Sequence, residues 1–199
     1  NGKIQMYFIL VQIDQTSFLL FSPFAKAALF SALDRYHFGE KLKLDQNYAP
    51  QKKLLRFFTT EGQRFEFADA LQGRELSVEE ALHESVSRGI PRFPFEINEN
   101  YLPLEDGLVG AIHDNKGCYP GQEVIERIRT QGQAPRLLLR VSGAFNSKDG
   151  ASQILGSLPQ PLFAEAEPTR EVGQLTSLAM TSPTQWEGLA IIKKQAVQD

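Results

Sequence analysis

Lys116-Gly117-Cys118-Tyr119-Pro120-Gly121-Gln122-Glu123 places the chain's one cysteine two residues after a cation, between two glycines, and just ahead of a predicted helix. The thiolate is the nucleophilic and metal-ligating form of cysteine, and a nearby ammonium or the unpaired N–H groups of a helix start favour it. Lys116 supplies the first and a helix opening near Gly121 the second. Cys118 is therefore the candidate reactive group, with Lys116 as its tuning cation or as an anion-binding group. The flanking glycines let backbone approach a ligand closely. The competing reading is a small buried hydrophobe, the commoner fate of a free cysteine.

A resident metal is not expected at Cys118, because structural zinc sites use four protein ligands and iron–sulfur clusters need several cysteines. His113 lies nearby in sequence but does not complete a ligand set. His37, His83 and His113 are the histidines of the chain, and nothing in their spacing orients one as the base of a cysteine-protease pair. Gln122 and Glu123 are able to hydrogen-bond a ligand, or Glu123 to complement a helix dipole. Arg127, Arg129, Arg136 and Arg140 alternate with Glu123 and Glu126, the pattern of a solvated, salt-bridged surface. No aromatic stacking pattern accompanies them, so direct RNA contact is not expected.

The elements that must position this octamer follow from periodicity. Apolar runs at 4–13 and 17–21 around Asp14-Gln15-Thr16 predict a β-hairpin. Ser22 as cap and Pro23 at the first turn predict a helix carrying Phe24, Ala27, Ala28, Leu33 and Tyr36 until Gly39. Residues 41–45 alternate like an edge strand, and 54–59 and 64–67 read as strands around Glu61-Gly62-Gln63. Ser77-Val78-Glu79-Glu80 is a capping box, and Gly89 with Pro91 ends that helix. Residues 90–120, with Pro91, Pro94, Pro103 and Pro120, should wrap other elements as ordered loop, where function often sits. A short helix is predicted over 121–131, with Val124, Ile125 and Ile128 on one face. Strands follow at 136–145, 171–181 and 185–193, with a turn at 146–150, a Pro-rich connection at 158–169 and a turn at Ser182-Pro183.

A chain of 199 residues with 42% hydrophobic and 23% charged content has room for a core and is not disordered. The net charge of −3 gives no general attraction to nucleic acid or anionic membrane. A single cysteine forms no internal disulfide, and no basic, apolar and small-residue leader pattern opens the sequence, so a cytoplasmic setting is expected. The apolar start is too short to span a bilayer.

The octamer K-G-C-Y-x-G-Q-E resembles the signature of the YgfZ-type folate-binding proteins, relatives of the glycine-cleavage T-protein. Arg88-Gly89-Ile90-Pro91 and Asn100-Tyr101-Leu102-Pro103-Leu104-Glu105 fall where that family has a G-[IL]-P turn and an apolar-Pro segment. Arg127, Gly132 and Arg136 fall where it carries Arg, Gly and a basic residue. The likeness spans roughly 2–195 and is strongest over 88–141.

The resemblance implies an α+β, T-protein-like fold: a partial ferredoxin-like α/β domain over 1–134 that includes the signature loop, then a small antiparallel β-barrel over 135–199. It implies a tetrahydrofolate-binding accessory protein supporting iron–sulfur cluster assembly or repair, with iron–sulfur client enzymes or assembly proteins as partners. Cys118 would carry redox or transient-ligand chemistry tuned by Lys116. Tyr119 would pack the loop, Gly117 and Gly121 permit its turn, and Gln122, Glu123 and Arg127 hold its geometry. The alternatives are a folate-dependent aminomethyltransferase and a non-catalytic scaffold. Relatives place R-x-E-x-G before the G-[IL]-P turn, and this chain has Ser85 and Ser87 there. A hydroxyl does not give the bidentate carboxylate that adjacent N–H donors prefer. His113-Asp114-Asn115 likewise stands for the usual Ser-Phe-Thr. The family has a segment ahead of the position of Gly2-Lys3 that contributes to the folate pocket, so an incomplete pocket is expected.

Overall fold

The computed structural model describes residues 2–13, 15–36, 39, 41, 43–45, 53–59, 62–68, 76–113, 115, 117–132, 134–145 and 154–197. Strands β1 (Phe8–Ile13) and β2 (Thr16–Phe21) pair antiparallel with Ile13 opposite Thr16, so the expected hairpin forms with a two-residue loop. Its first strand is shorter than the apolar run. Residues 2–7 lie outside the ladder, and the Ile4 N–H reaches the Tyr101 carbonyl at 3.5 Å. Ser22 is extended and precedes a 3-10 turn at Pro23–Ala25 that runs into helix α1 (Lys26–Tyr36). The Ser22 side chain makes no cap bond. Its carbonyl takes the Ala25 N–H at 2.8 Å instead. Ala25 and Leu29 are buried, and Phe30 meets Phe21 edge-on at 5.9 Å, which ties α1 to the hairpin.

Strands β3 (Lys53–Thr59) and β4 (Gly62–Ala68) form a second hairpin with Thr59 opposite Gly62. The edge strand expected over 41–45 is absent at Lys41 and at Lys43, Leu44 and Asp45, because no ladder partner runs beside them among the described residues. The turn expected at 146–150 lies outside the described residues.

Helix α2 (Val78–Ser87) opens on the predicted capping box: Ser77 Oγ accepts from the Glu80 N–H at 3.1 Å and Glu80 Oε2 from the Ser77 N–H at 2.8 Å. Ser77→Ala should cost about 1 kcal/mol, measured as a lower urea midpoint at unchanged slope. Gly89, at φ 67°, ends the helix in the left-handed conformation its sequence position suggested.

The C-terminal part is an antiparallel sheet of β5 (Arg136–Ala144), β6 (Gln160–Phe163), β7 (Glu171–Met180) and β8 (Gln185–Lys193) in the order β5-β8-β7-β6. Strand β6 lies inside the segment expected to be a connection. Pro161 is tolerated because β6 is an edge strand, where a missing N–H costs no ladder bond on the open side. The sheet is open among the described residues, with β5 and β6 as unpaired edges, so the expected barrel closure is not seen there.

Both faces of this sheet carry apolar packing. Leu175, Leu178, Ala190 and Ile192 form one core, with Leu139, Val141, Met180 and Trp186 around it. On the other face Ala179 and Leu189 pack with Val86 and Leu82 of α2 and with Leu138. The register slips between Leu175 and Ser177, so Thr176 is an extra residue in β7, and its hydroxyl bonds to the Leu189 carbonyl at 2.9 Å. Thr176 and Ser177 are both buried. Odd-numbered residues face the first core before this bulge and even-numbered ones after it.

The fold class is α+β with antiparallel sheets. Among the described residues no helix is long and apolar enough to cross a membrane.

Candidate functional site

The described residues of 90–120 form the expected irregular wrap, broken by a 3-10 turn at Val109–Ala111. It delivers Gly117 and Cys118 as exposed residues and Tyr119 as a half-buried one. Gly121 caps helix α3 (Gln122–Gln131) at φ 87°, a conformation that disfavours side-chain-bearing residues, so glycine here makes the turn after the signature tyrosine. The Tyr119 carbonyl accepts from the Gln122 N–H at 3.2 Å and closes that turn. Ile125 is buried, Gln122 half-buried, and Glu123 and Arg127 exposed on the opposite side. Gly132, at φ 67°, ends α3. Lys116 lies outside the described residues, so its proposed pairing with Cys118 has no geometry here.

Beside this loop opens a cavity of about 590 Å³, within the range of small-molecule sites. Residues 2–7 form one wall, the 103–113 stretch another, and Tyr119, Pro120 and Ile125 the third. Apolar groups such as Ile4, Met6 and Leu108 dominate the lining, and Lys3, Tyr7 and His113 supply polar ones. His113 Nδ1 accepts from the Asn115 N–H at 3.1 Å. Gly2 packs near Leu102, Val124 and the Gly121 carbonyl, so the start of the described chain rests on the signature turn.

Sequence reasoning missed the carboxylates of the wrap. Glu96, Glu105 and Asp106 are 0%, 2% and 0% exposed. Glu96 Oε2 accepts from the Arg92 backbone N–H at 2.9 Å, and its other oxygen accepts from the Ser177 hydroxyl. The Arg92 guanidinium reaches Ser177 Oγ at 3.0 Å and lies 4.8 Å from the Phe95 ring. Burial lowers the Arg92 pKa, and Glu96 opposes that shift. Glu105 Oε2 accepts from the Leu102 N–H at 2.8 Å, while its carbonyl takes the Leu138 N–H at 2.9 Å, which fastens the wrap to β5.

Asp106 differs from both. Neither carboxylate oxygen has a hydrogen-bond partner, and burial, reinforced by Glu105 and Glu96 and opposed by Lys3, pushes its pKa up to about 8. The adjacent acidic pair in a proline-rich loop was the available sequence signal. Acidic pairs are usually solvated, and only tertiary packing reveals that these are not.

The serines standing at the R-x-E-x-G positions are used internally. Ser85 Oγ donates to the Ala81 carbonyl at 2.9 Å and Ser87 Oγ to the Glu84 carbonyl at 3.2 Å. The arginine strip is similarly divided. Arg129 pairs with Glu126 at 3.2 Å, Arg136 stands 3.8 Å from Glu105, and Arg140 donates to the Ser87 carbonyl. Among the described residues no group of three or more His, Cys, Asp and Glu side chains is arranged to hold a metal ion.

No family model matches the chain. It is similar to the chloroplastic protein "Putative transferase At1g60990" of Arabidopsis thaliana, at 30% identity over 112 residues. The matched stretch makes up 56% of this chain and 23% of that protein.

Proposed function

We propose that this chain is a T-protein-like accessory protein of the YgfZ type, binding tetrahydrofolate in the 590 Å³ cavity and supporting iron–sulfur cluster assembly or repair in client enzymes. The observation that carries this reading is the shared wall: Tyr119 and Pro120 of the signature octamer line the cavity, while the preceding Cys118 is exposed to solvent. A ligand in the cavity would contact the same loop that presents the thiol, so occupancy and thiol presentation become coupled through one turn. On this reading residues 1–134 form the T-protein-like part and 135–199 the barrel-derived sheet. Gly117 and Gly121 shape the loop, Gln122, Glu123 and Arg127 belong to the helix that anchors it, and Lys116 favours the Cys118 thiolate. The cluster is cargo, and Cys118 acts as a transient ligand or redox group in a cytoplasmic setting.

A second reading, a folate-dependent transferase, draws on the name of the Arabidopsis relative. It is the weaker one, because Ser85 and Ser87 spend their hydroxyls on their own helix. A scaffold without chemistry is the third, and thiol labelling against pH discriminates it: labelling with the rate profile of an ordinary free cysteine near ~8.5 would favour it.

The test has separate arms. A reduced folate at one hundred times its dissociation constant should raise unfolding stability by roughly 2.7 kcal/mol, and Ala111→Trp, which fills the cavity from its lining, should remove that gain. Cys118→Ala should keep the folate shift but lower client-enzyme activity in cells at equal expression. Absence of any shift over a wide folate range sinks both folate-dependent readings, and unchanged client activity sinks the role of the thiol.

A further inference from the structure

Arg136 and Lys193 are direct register partners across β5 and β8, so two cations stand side by side on one face of the sheet. Like charges directly opposite in an antiparallel pair are destabilising. A local conflict of this kind in an otherwise consistent sheet marks a functional position. The pair lines a polar cavity of about 370 Å³, floored by Gly173 and Ile191 and walled by Tyr101 and Gln174. It lies across the Asn100–Tyr101 strap from the larger cavity. Lys3 and Ile4 of the larger cavity bond to the carbonyls of Asn100 and Tyr101, which line the smaller one, and no lining residue is common to the two.

The hydrogen bonding around this cleft leaves donors in surplus. The Tyr101 hydroxyl donates to Gln174 Oε1 at 2.9 Å, so both amide N–H groups of Gln174 remain for another acceptor. Burial raises the Tyr101 pKa, against the pull of Arg136, so the phenol keeps its proton. Lys193 uses one of its three N–H groups on the Glu171 carbonyl at 2.7 Å. Arg136 is ion-paired with the buried Glu105 Oε1 at 3.8 Å and stands 5.7 Å from the Tyr101 ring, and at that separation its N–H groups are not hydrogen-bonded to the carboxylate. The acid among the lining residues, Glu171, is exposed at the rim.

We propose that this cleft binds an oxoanion, the phosphoryl or carboxylate end of a small polar ligand, with Arg136, Lys193 and Gln174 as the donors. A bound anion supplies the counter-charge that Lys193 lacks, Arg136 already facing Glu105, and accepts from the Gln174 amide. The site is independent of the folate reading and is tested without folate.

The experiment is calorimetric titration of the whole chain with inorganic phosphate and, separately, acetate, at ionic strength fixed with chloride, for wild type and Lys193→Gln. Lys193 is exposed, so the variant is expected to fold. Saturable binding of phosphate that weakens by about tenfold in the variant supports a phosphoryl ligand, and the same result with acetate supports a carboxylate. The variant should also unfold at an equal or higher temperature than wild type without added oxoanion, because the like-charge contact is gone. No saturable heat with either anion, equal affinity in both proteins, or a lower unfolding temperature for the anion-free variant overturns the proposal.

Discussion

Glu96→Ala is expected to lower the folding stability by about 1–3 kcal/mol, the cost of leaving buried hydrogen-bond donors without their charged acceptor. The residue is fully buried and joins the wrap to β7: one oxygen holds the Arg92 N–H and the other the Ser177 hydroxyl. Without it the half-buried Arg92 guanidinium keeps Ser177 and the Phe95 ring but loses the carboxylate that opposes its desolvation. Glu96→Gln keeps an acceptor and should cost less. Equilibrium urea unfolding of the two variants checks this, and a cost for Glu96→Ala within the ±0.5 kcal/mol typical of surface changes would contradict it.

Asp106→Asn should have the opposite sign and should grow with pH. Folding raises the pKa of this carboxyl from its ordinary 3.8 to about 8, chiefly by burial and secondarily through Glu105 and Glu96, against the pull of Lys3. Between those values the unfolded chain has released the proton and the folded chain still holds it, so folding becomes less favourable as pH rises. The loss is absent below about pH 4 and complete above about pH 8. At about 1.4 kcal/mol for each pH unit crossed, its ceiling is on the order of 5 kcal/mol. An asparagine does not titrate, so the stability difference, variant minus wild type, should increase through that window. Parallel curves for the two proteins between pH 4 and pH 8 would show that Asp106 ionises freely in the folded chain.

These acids also mark where reading the sequence stopped. The α2 capping box, the β1–β2 hairpin and the α3 limits were legible because their signals are local: a serine three residues before a glutamate, apolar runs around a polar turn, glycines at both ends of an amphipathic turn. Strands β5, β7 and β8 were legible from apolar runs. Strand β6 was not, since Pro161 argues for a loop until β7 is known to lie beside it. The reverse error fell on 41–45, where alternation had no partner to make it a strand. At the candidate site, the turn glycine Gly121 could be read from the octamer. The cavity could not, because its walls come from residues 2–7, 103–113 and 119–125, which only tertiary packing assembles. The burial of Glu96, Glu105 and Asp106 is likewise a property of what the loop covers.

The extra residue at Thr176 bears on how this strand tolerates changes of length. Leu175 pairs with Ala190 and Ser177 with Leu189, so excising Thr176 would leave an uninterrupted ladder in which both halves of β7 keep their present sides. Removing a residue from either half while the slip stays in place would exchange sides for everything beyond the excision, sending Leu178 out of its core to the face shared by α2 and the wrap, or Gln174 toward aliphatic neighbours. Along this strand, insertions and deletions are therefore constrained more tightly than substitutions, and Thr176 is the position where a single-residue deletion leaves the sidedness of the sheet intact.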